Sequence, residues 1–553
     1  MPNANAVFGA GGVDEPTMSL KHSLLKRIAA RRIKLEQTLG RGLCRWHLCV
    51  LIPILSLYFA LAFYHLNHQS FWTDEVISVI RATSDEPLLS RGRWFSGQSP
   101  PYFILLHLWA QQGTGEFTLR VLSVLLGGIT VYLTYILGFQ LCNLRVAMFA
   151  AMLLATSPFL IWYSQEVRYV ILTIPIGLVT LYAFKRVLHA QSLGWWLLYC
   201  GSVILAIATF VVSVFLPLAQ GLYLVCSPSR RLVVRKWAVC QLAVVAFFLW
   251  WANDGHIGQL GGYWQKLFAH VTASSGGTYE SQTTEPFSAG GSREFTLMAL
   301  PYTFFAFSAG FSLGPSLPEL HASRALATLL PHAGIVALSA LLFGGLFILG
   351  LASLWRQSDS AALLVLWLVI PVAGALGVSA LIPELAYNVR YAAVAFPVYI
   401  LILSAGVAGL RRPIVQHTML AAVLVFNGLS LANYYHNPRY SREDARGAAR
   451  YLQMATGPRD VIGIVGNTTA LQYYYGGTLP IVTWDETVLN DPRALSECLQ
   501  KLGEDHEHLW LVAVRPWEVD PIGRVKSALD EEYSLVQRQQ FPGVDIAAYH
   551  LAP

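Results

Sequence analysis

Residues 46–66 read WHLCVLIPILSLYFALAFYHL, 21 positions without an Asp, Glu, Lys or Arg. A helix rises about 1.5 Å per residue, so such a run reaches across the roughly 30 Å hydrocarbon layer of a bilayer. Ahead of it lie Lys21, Lys26, Arg27, Arg31, Arg32, Lys34, Arg41 and Arg45, with Glu36 as the single acid among them. Basic residues favour the cytoplasmic side, which predicts a cytoplasmic segment over 1–45 and an external segment over 67–116.

Working outward, further apolar runs predict spans at 117–141, 146–163, 167–184, 195–209, 211–226, 237–251, 333–354, 362–381, 391–410 and 418–434, about eleven in all. Threading them alternately puts Arg145, Lys185, Arg186, Arg230, Arg231, Arg235, Lys236, Arg356, Arg411 and Arg412 inside, and the polar segments 253–331 and 435–553 outside. The composition agrees: 55% hydrophobic and 13% charged residues, with mean hydropathy +0.48, exclude a soluble chain, whose charged share is about 25%. The net charge of +6 is spread over short clusters between apolar runs, which speaks for orienting loops and against a nucleic-acid partner. Seven cysteines show no metal-ligand spacing. Residues 1–20 lack an apolar core followed by a small-residue cleavage site, so the first span is expected to do the targeting.

From residue 435 the apolar runs shorten to strand length, at 461–465, 480–482, 509–514 and 546–549, with polar helical stretches at 441–456 and 523–532. The expected fold is therefore an α-helical polytopic membrane protein, its transmembrane part over 46–434, with a C-terminal α/β extracytoplasmic domain over 435–553. No phosphate-binding glycine motif occurs in that domain.

Four polar constellations interrupt the apolar pattern. Phe71-Trp72-Thr73-Asp74-Glu75 follows the first span, ahead of Gln98-Ser99-Pro100-Pro101-Tyr102 and a short apolar stretch at 103–109. Adjacent carboxylates beside a bilayer are costly unless paired or used, because burial disfavours their charged forms. Asp74 has the chemistry of a general base for an acceptor hydroxyl; the plain alternative makes Asp74 or Thr73 the cap of a helix over 76–81. Next, Tyr163-Ser164-Gln165-Glu166-Val167-Arg168-Tyr169 joins the third and fourth spans on the outside. Arg168 can hold a phosphate in its planar donor fork and Glu166 can orient an acceptor or a metal, or the two simply pair. Arg390 enters the tenth span from the outside, where a cation asks for an anion: a lipid phosphate, or Glu384. The fourth, residues 307–316, is rich in Gly and Ser and precedes Glu319 and His321; His321 is a phosphate contact or a solvated loop histidine.

In this order, the segments resemble the GT-C class of membrane glycosyltransferases, specifically the bacterial family 39-like members related to protein O-mannosyltransferases and the aminoarabinose transferase of lipid A. The resemblance runs through WTDE (72–75), SPPYFILLHLW (99–109), RVLSVLLG (120–127), SPFLIWYSQEVRY (157–169), FSLGPS (311–316) and NVRYAAVAFP (388–397). It implies inverting transfer of a sugar from a polyprenyl-phosphate donor to a lipid, glycan or protein hydroxyl, outside a bacterial plasma membrane. By the same resemblance Asp74 is the catalytic base with Glu75 beside it, and Arg390, Arg168 and His321 hold the donor phosphate. Glu166, Trp72, Tyr102, Tyr163 and Tyr169 fall on the acceptor or sugar side, although these aromatics also suit the belt of any membrane protein. A divalent Mg or Mn near Glu166 is compatible with the class. The family often places His before the paired prolines; here that position reads Gln98-Ser99, which puts that contact in doubt. The competing function is a secondary transporter or flippase, which calls for matching broken helices and ionisable groups at midplane; here the acids collect at the outer surface. A receptor anchored by the bundle is a third reading, but ten further spans exceed an anchor's needs.

Overall fold

Backbone in hydrocarbon must satisfy its own hydrogen bonds, and continuous helices do so. The computed structural model describes residues 49–84, 99–226, 231–251, 298–316, 319, 330–357, 360–381 and 387–551, and in it the apolar runs are helical. α1 (Cys49–Phe63) leads to the short helices α2 (Thr73–Thr83) and α3 (Pro100–Ala110). The bundle continues through α4 (Glu116–Leu141), α5 (Leu144–Ala155), α6 (Pro158–Ser164), α7 (Val170–His189), α8 (Leu193–Thr209) and α9 (Val211–Val225). It closes with α10 (Arg231–Trp251), α11 (Ala299–Ala309), α12 (Leu330–Arg356), α13 (Ala361–Leu381), α14 (Val389–Ala408) and α15 (Pro413–His436).

Seven of the described helices are long and apolar enough to cross a membrane, eight if α5 and α6 count as one span bent by 56°. The chain is thus a multi-pass membrane protein. The remaining three of the eleven expected spans are α1, described over residues 49–63, and α8 and α9, each of 17 residues or fewer and so shorter than a full crossing requires. The third expected span is broken because Pro158 has no N–H to continue α5, while Ser157 Oγ accepts from the Leu160 N–H at 3.3 Å and starts α6 afresh. α8 and α9 are parted by extended backbone at Phe210. At the centre stand α7 and α14, with 78% and 89% of their apolar windows buried, whereas α10, at 11%, turns Leu242 and Leu249 outward to lipid. α12 and α14 meet backbone to backbone at Gly350 and Gly406, where small residues permit close approach.

The C-terminal domain runs α16 (Ala445–Ala455), β1 (Val461–Gly466), α17 (Thr469–Tyr474), β2 (Ile481–Thr483), α18 (Glu486–Asn490), α19 (Pro492–Asp505), β3 (His508–Val514), α20 (Arg524–Glu532), β4 (Ser534–Phe541) and β5 (Val544–His550). Its sheet has the order β2-β1-β3-β5-β4; β1 pairs parallel with β2 and β3, while β5 pairs antiparallel with β3 and β4. Strand alternation feeds two cores: Val461, Leu509, Leu511 and Tyr549 pack under α19 and α20, and Ile462, Ile464, Val512 and Ile546 under α16 and α17. The strand β4 and the helices α17, α18 and α19 are additions to the expected elements. β4 reads SLVQRQQF and is exposed along almost its whole length at the sheet edge, so it carries no apolar alternation.

Candidate active site

α2 begins in extended backbone at Trp72, whose N–H donates to Glu75 Oε2 at 3.4 Å. Asp74 and Thr73 therefore lie inside the first turn, and neither caps a helix over 76–81; the sequence placed the start three residues late because Thr73, Asp74 and Glu75 are polar. Neighbouring positions on a helix point about 100° apart, which sends the two carboxylates to different surroundings.

Glu75 turns inward and is fully buried. Its carboxylate accepts from Arg120 Nε at 3.0 Å and Nη2 at 2.8 Å, from the Val167 N–H at 2.9 Å and from Arg442 Nη1 at 3.4 Å. Arg120 also donates to the carbonyls of Leu66, Gln69 and Ser70, so one buried ion pair ties α4 to the whole connection between α1 and α2. Burial works against the Glu75 charge, but Arg120 and Arg442 outweigh it and hold the carboxyl below the usual range.

Asp74 points the other way and keeps 27% of its side chain exposed. Its Oδ2 lies 3.2 Å from Arg168 Nη2 and 3.1 Å from Arg390 Nη1, while Arg168 Nη1 donates to the Asp74 carbonyl at 3.1 Å. Burial pushes its carboxyl up, and Arg168, Arg390 and Arg515 together bring it below the ordinary value. Arg390 sits in the 3-10 turn opening α14, where Asn388 Oδ1 accepts its N–H, and its Nε is buried without a partner among the described residues. Glu166 lies in the turn between α6 and α7, and the mutual Glu166–Arg168 pair does not form: Arg168 goes to Asp74, and Glu166 Oε2 is buried with no partner among the described residues. Burial raises the Glu166 carboxyl to about 7, with Arg442 opposing that rise.

The C-terminal domain reaches the same place. Arg442 donates to the Gln165 carbonyl at 3.0 Å and lies 4.6 Å from the Trp162 ring; Arg515 lies 5.1 Å from the Trp72 ring. The sequence reading missed Arg120, Arg442 and Arg515. A lone arginine in an apolar span such as α4 signals a buried partner, but an arginine in a polar domain carries no such mark. Among the aromatics singled out, Tyr102, Tyr163 and Tyr169 are buried and Trp72 is partly so. The glycine loop after α11 does make close backbone approach: Gly310, at φ 68°, leaves a Cβ only 2.7 Å from Pro158. His321 and Glu384 lie outside the described residues.

Residues 99–252 match the family model described as dolichyl-phosphate-mannose-protein mannosyltransferase. No curated protein matches the chain in sequence. Among solved structures, ArnT from Cupriavidus metallidurans in the apo state is similar over 93% of this chain and 99% of that one, at 12% identity and a TM-score of 0.51. The chain shares the fold of that protein. Lower likenesses are to the Archaeoglobus fulgidus oligosaccharyltransferase in complex with Zn and sulfate (13% identity, 91% of this chain, 73% of that one, TM-score 0.47) and the arabinofuranosyltransferase AftD from Mycobacteria (14%, 92%, 42%, TM-score 0.42).

Proposed function

We propose that the chain moves a hexosyl or pentosyl group from a polyprenyl-phosphate donor to an acceptor hydroxyl, with inversion, on the extracytoplasmic side of a bacterial plasma membrane. The observation that carries this reading is the Asp74 carboxylate set between Arg168 and Arg390, at the heads of the two most buried spans. The match of residues 99–252 to a mannosyltransferase family supports it. A base for the acceptor and two guanidiniums for a departing phosphate are the parts such a displacement needs.

In the step, the acceptor hydroxyl gives its proton to Asp74 as its oxygen attacks the anomeric carbon. The bond from that carbon to the phosphate oxygen breaks, and its electron pair leaves on the phosphate, which Arg390 and Arg168 hold. Attack opposite the leaving group inverts the configuration. A carboxyl held low is ionised at neutral pH and ready to accept a proton, though weakly; as the guanidiniums turn toward an incoming phosphate, its proton affinity rises. The unpaired Arg390 Nε gives that phosphate a donor without breaking an existing bond. Glu75 is a positioning residue that fixes α2, and the unpartnered Glu166 carboxyl is an acceptor contact, with Trp72, Tyr102, Tyr163 and Tyr169 around it. His321 joins the donor side in this reading.

A resident Mg or Mn is no part of the proposal: among the described residues no three His, Cys, Asp or Glu side chains converge, and guanidiniums flank Asp74 where a cation would sit. The basic segment 1–45 is placed in the cytoplasm and the C-terminal domain outside, following the charge distribution. The test is transfer from radiolabelled polyprenyl-phosphate sugars in reconstituted membranes, wild type beside Asp74→Asn. Transfer by the wild type and loss of it in a folded variant is expected. Equal rates would remove Asp74 from the chemistry, and inertness toward every donor would favour a transporter or flippase.

A further inference from the structure

The carboxyl ends of the parallel strands β1 and β3, the edge where α/β sheets tend to place their ligands, face α2. Just past β1, Asn467 Oδ1 accepts from Thr73 Oγ1 at 3.0 Å, and Tyr474 of α17 accepts from the Phe71 N–H at 2.8 Å. Just past β3 stands Arg515, in left-handed backbone at φ 51° and ψ 54°. That conformation crowds an L side chain and usually falls to Gly or Asn. A residue held there against its preference is fixed by its surroundings and marks functional sites more often than plain turns. What Arg515 has and Gly lacks is a guanidinium 5.1 Å from the Trp72 ring, with Nε donating to Glu443 Oε1 at 2.6 Å and Nη1 3.5 Å from Glu518 Oε1. Trp72 opens α2 two residues before Asp74.

Resting on the reading of Asp74 as the base, we propose that Arg515 is a positioning residue of the transfer site, supplied by the C-terminal domain: it clamps Trp72 at the head of α2 and sets the charge that Asp74 feels. The domain is then a wall of the site rather than a separate module. The groups acting on Asp74 are Arg168, with Glu166 and Tyr169 from the stretch before α7, Arg390 from α14, and Arg515. Arg515 is the one of these brought by the C-terminal domain. Glu443 and Glu518 share its charge, which leaves the nearer Arg168 and Arg390 as the stronger influences on Asp74.

The test variant is Arg515→Asn, because Asn tolerates left-handed backbone and the substitution removes the cation. In proteoliposomes at pH 5, labelling of Asp74 by a water-soluble carbodiimide, which attacks protonated carboxyls, is read by mass spectrometry of its peptide. Removing a cation raises the protonated fraction at fixed pH, tenfold per pKa unit, so labelling should rise by about threefold or more. In parallel, the acidic limb of kcat/KM for transfer should move to higher pH; loss of the Glu443 pair lowers the melting temperature too, so the limb and the labelling decide. A structural residue would lower the melting temperature and leave the limb in place. Unchanged labelling together with an unmoved limb overturns the inference. Labelling needs no donor, so a wild type inert toward every polyprenyl-phosphate sugar would sink the transferase reading while labelling still decides Arg515. Should Arg515→Asn fold poorly, Arg515→Gly gives the same readouts with the left-handed strain removed.

Discussion

Glu75→Gln and Asp74→Asn change adjacent residues by the same chemistry, and the structure predicts opposite consequences. The Gln variant keeps the shape of a fully buried side chain but removes the charge that compensates Arg120, itself 2% exposed, and Arg442, 3% exposed. Breaking a buried pair on one side costs about 3–5 kcal/mol, and the low end applies here because Arg120 keeps three backbone carbonyls. Asp74 is 27% exposed, so screening limits the loss from Asp74→Asn to roughly 1 kcal/mol. Both are measured by unfolding in detergent at pH 7, alongside transfer. The Glu75 carboxyl is lowered in the fold from its ordinary 4.5, so its stabilisation is complete above 4.5 and is lost as pH falls below that through the lower folded value. The gap between wild type and Glu75→Gln should therefore be full at pH 7 and shrink below 4.5. Stability equal to wild type at pH 7, with transfer abolished, would refute the reasoning and give Glu75 a part in the chemistry.

Glu166 responds in the opposite direction. Its carboxyl is raised to about 7, so the fold favours the neutral form, and the penalty for ionising it grows from 4.5 to about 7; Glu166→Gln should be more stable than wild type at pH 8 and indistinguishable from it near pH 4 by the same unfolding assay. Gly406→Leu should cost about 3 kcal/mol or more and depress the folded yield, because even a Cβ there lies 2.1 Å from the Leu346 carbonyl oxygen and two helix backbones must part. Leu499→Ala should destabilise the C-terminal domain by about 2–5 kcal/mol in thermal unfolding, since Leu499 is wholly buried between α19 and the sheet.

The bilayer makes spans legible because it selects for length and apolarity, two quantities a sequence displays directly. It does not display every place where a span is interrupted: the apolar run over 146–163 conceals the break at Ser157-Pro158, whereas the break at Phe210 falls where the spans 195–209 and 211–226 are parted in the sequence. In the C-terminal domain β1, β2, β3 and β5 show as apolar runs, while the edge strand β4 is written in polar residues that solvent tolerates. The site follows the same logic. Asp74, Glu166, Arg168 and Arg390 stand out because a charge beside an apolar stretch needs a reason. Arg442 and Arg515 come from a polar domain in which arginine is ordinary, and only the tertiary fold delivers them to α2.

The division of cations between the two carboxylates of α2 leads to a statement about the donor. Glu75 takes Arg120 and Arg442, and Asp74 takes Arg168 and Arg390, so each single negative charge faces two guanidiniums. The excess at Glu75 is sealed in protein and held by carbonyls of the backbone. The excess at Asp74 borders a partly exposed carboxylate and a buried donor, Arg390 Nε, with nothing to bind among the described residues. A surplus cation in such a place is stabilised by an anion, and a guanidinium fork suits a phosphate. Polyprenyl phosphate should accordingly raise the melting temperature of the purified protein, and more so at low salt, since charge attraction to a partly exposed site is screened. Arg390→Ala should abolish most of that shift, as it removes one fork of the pair. A polyprenyl alcohol that protects as well as the phosphate would place the binding energy in the lipid chain and refute the assignment of Arg390.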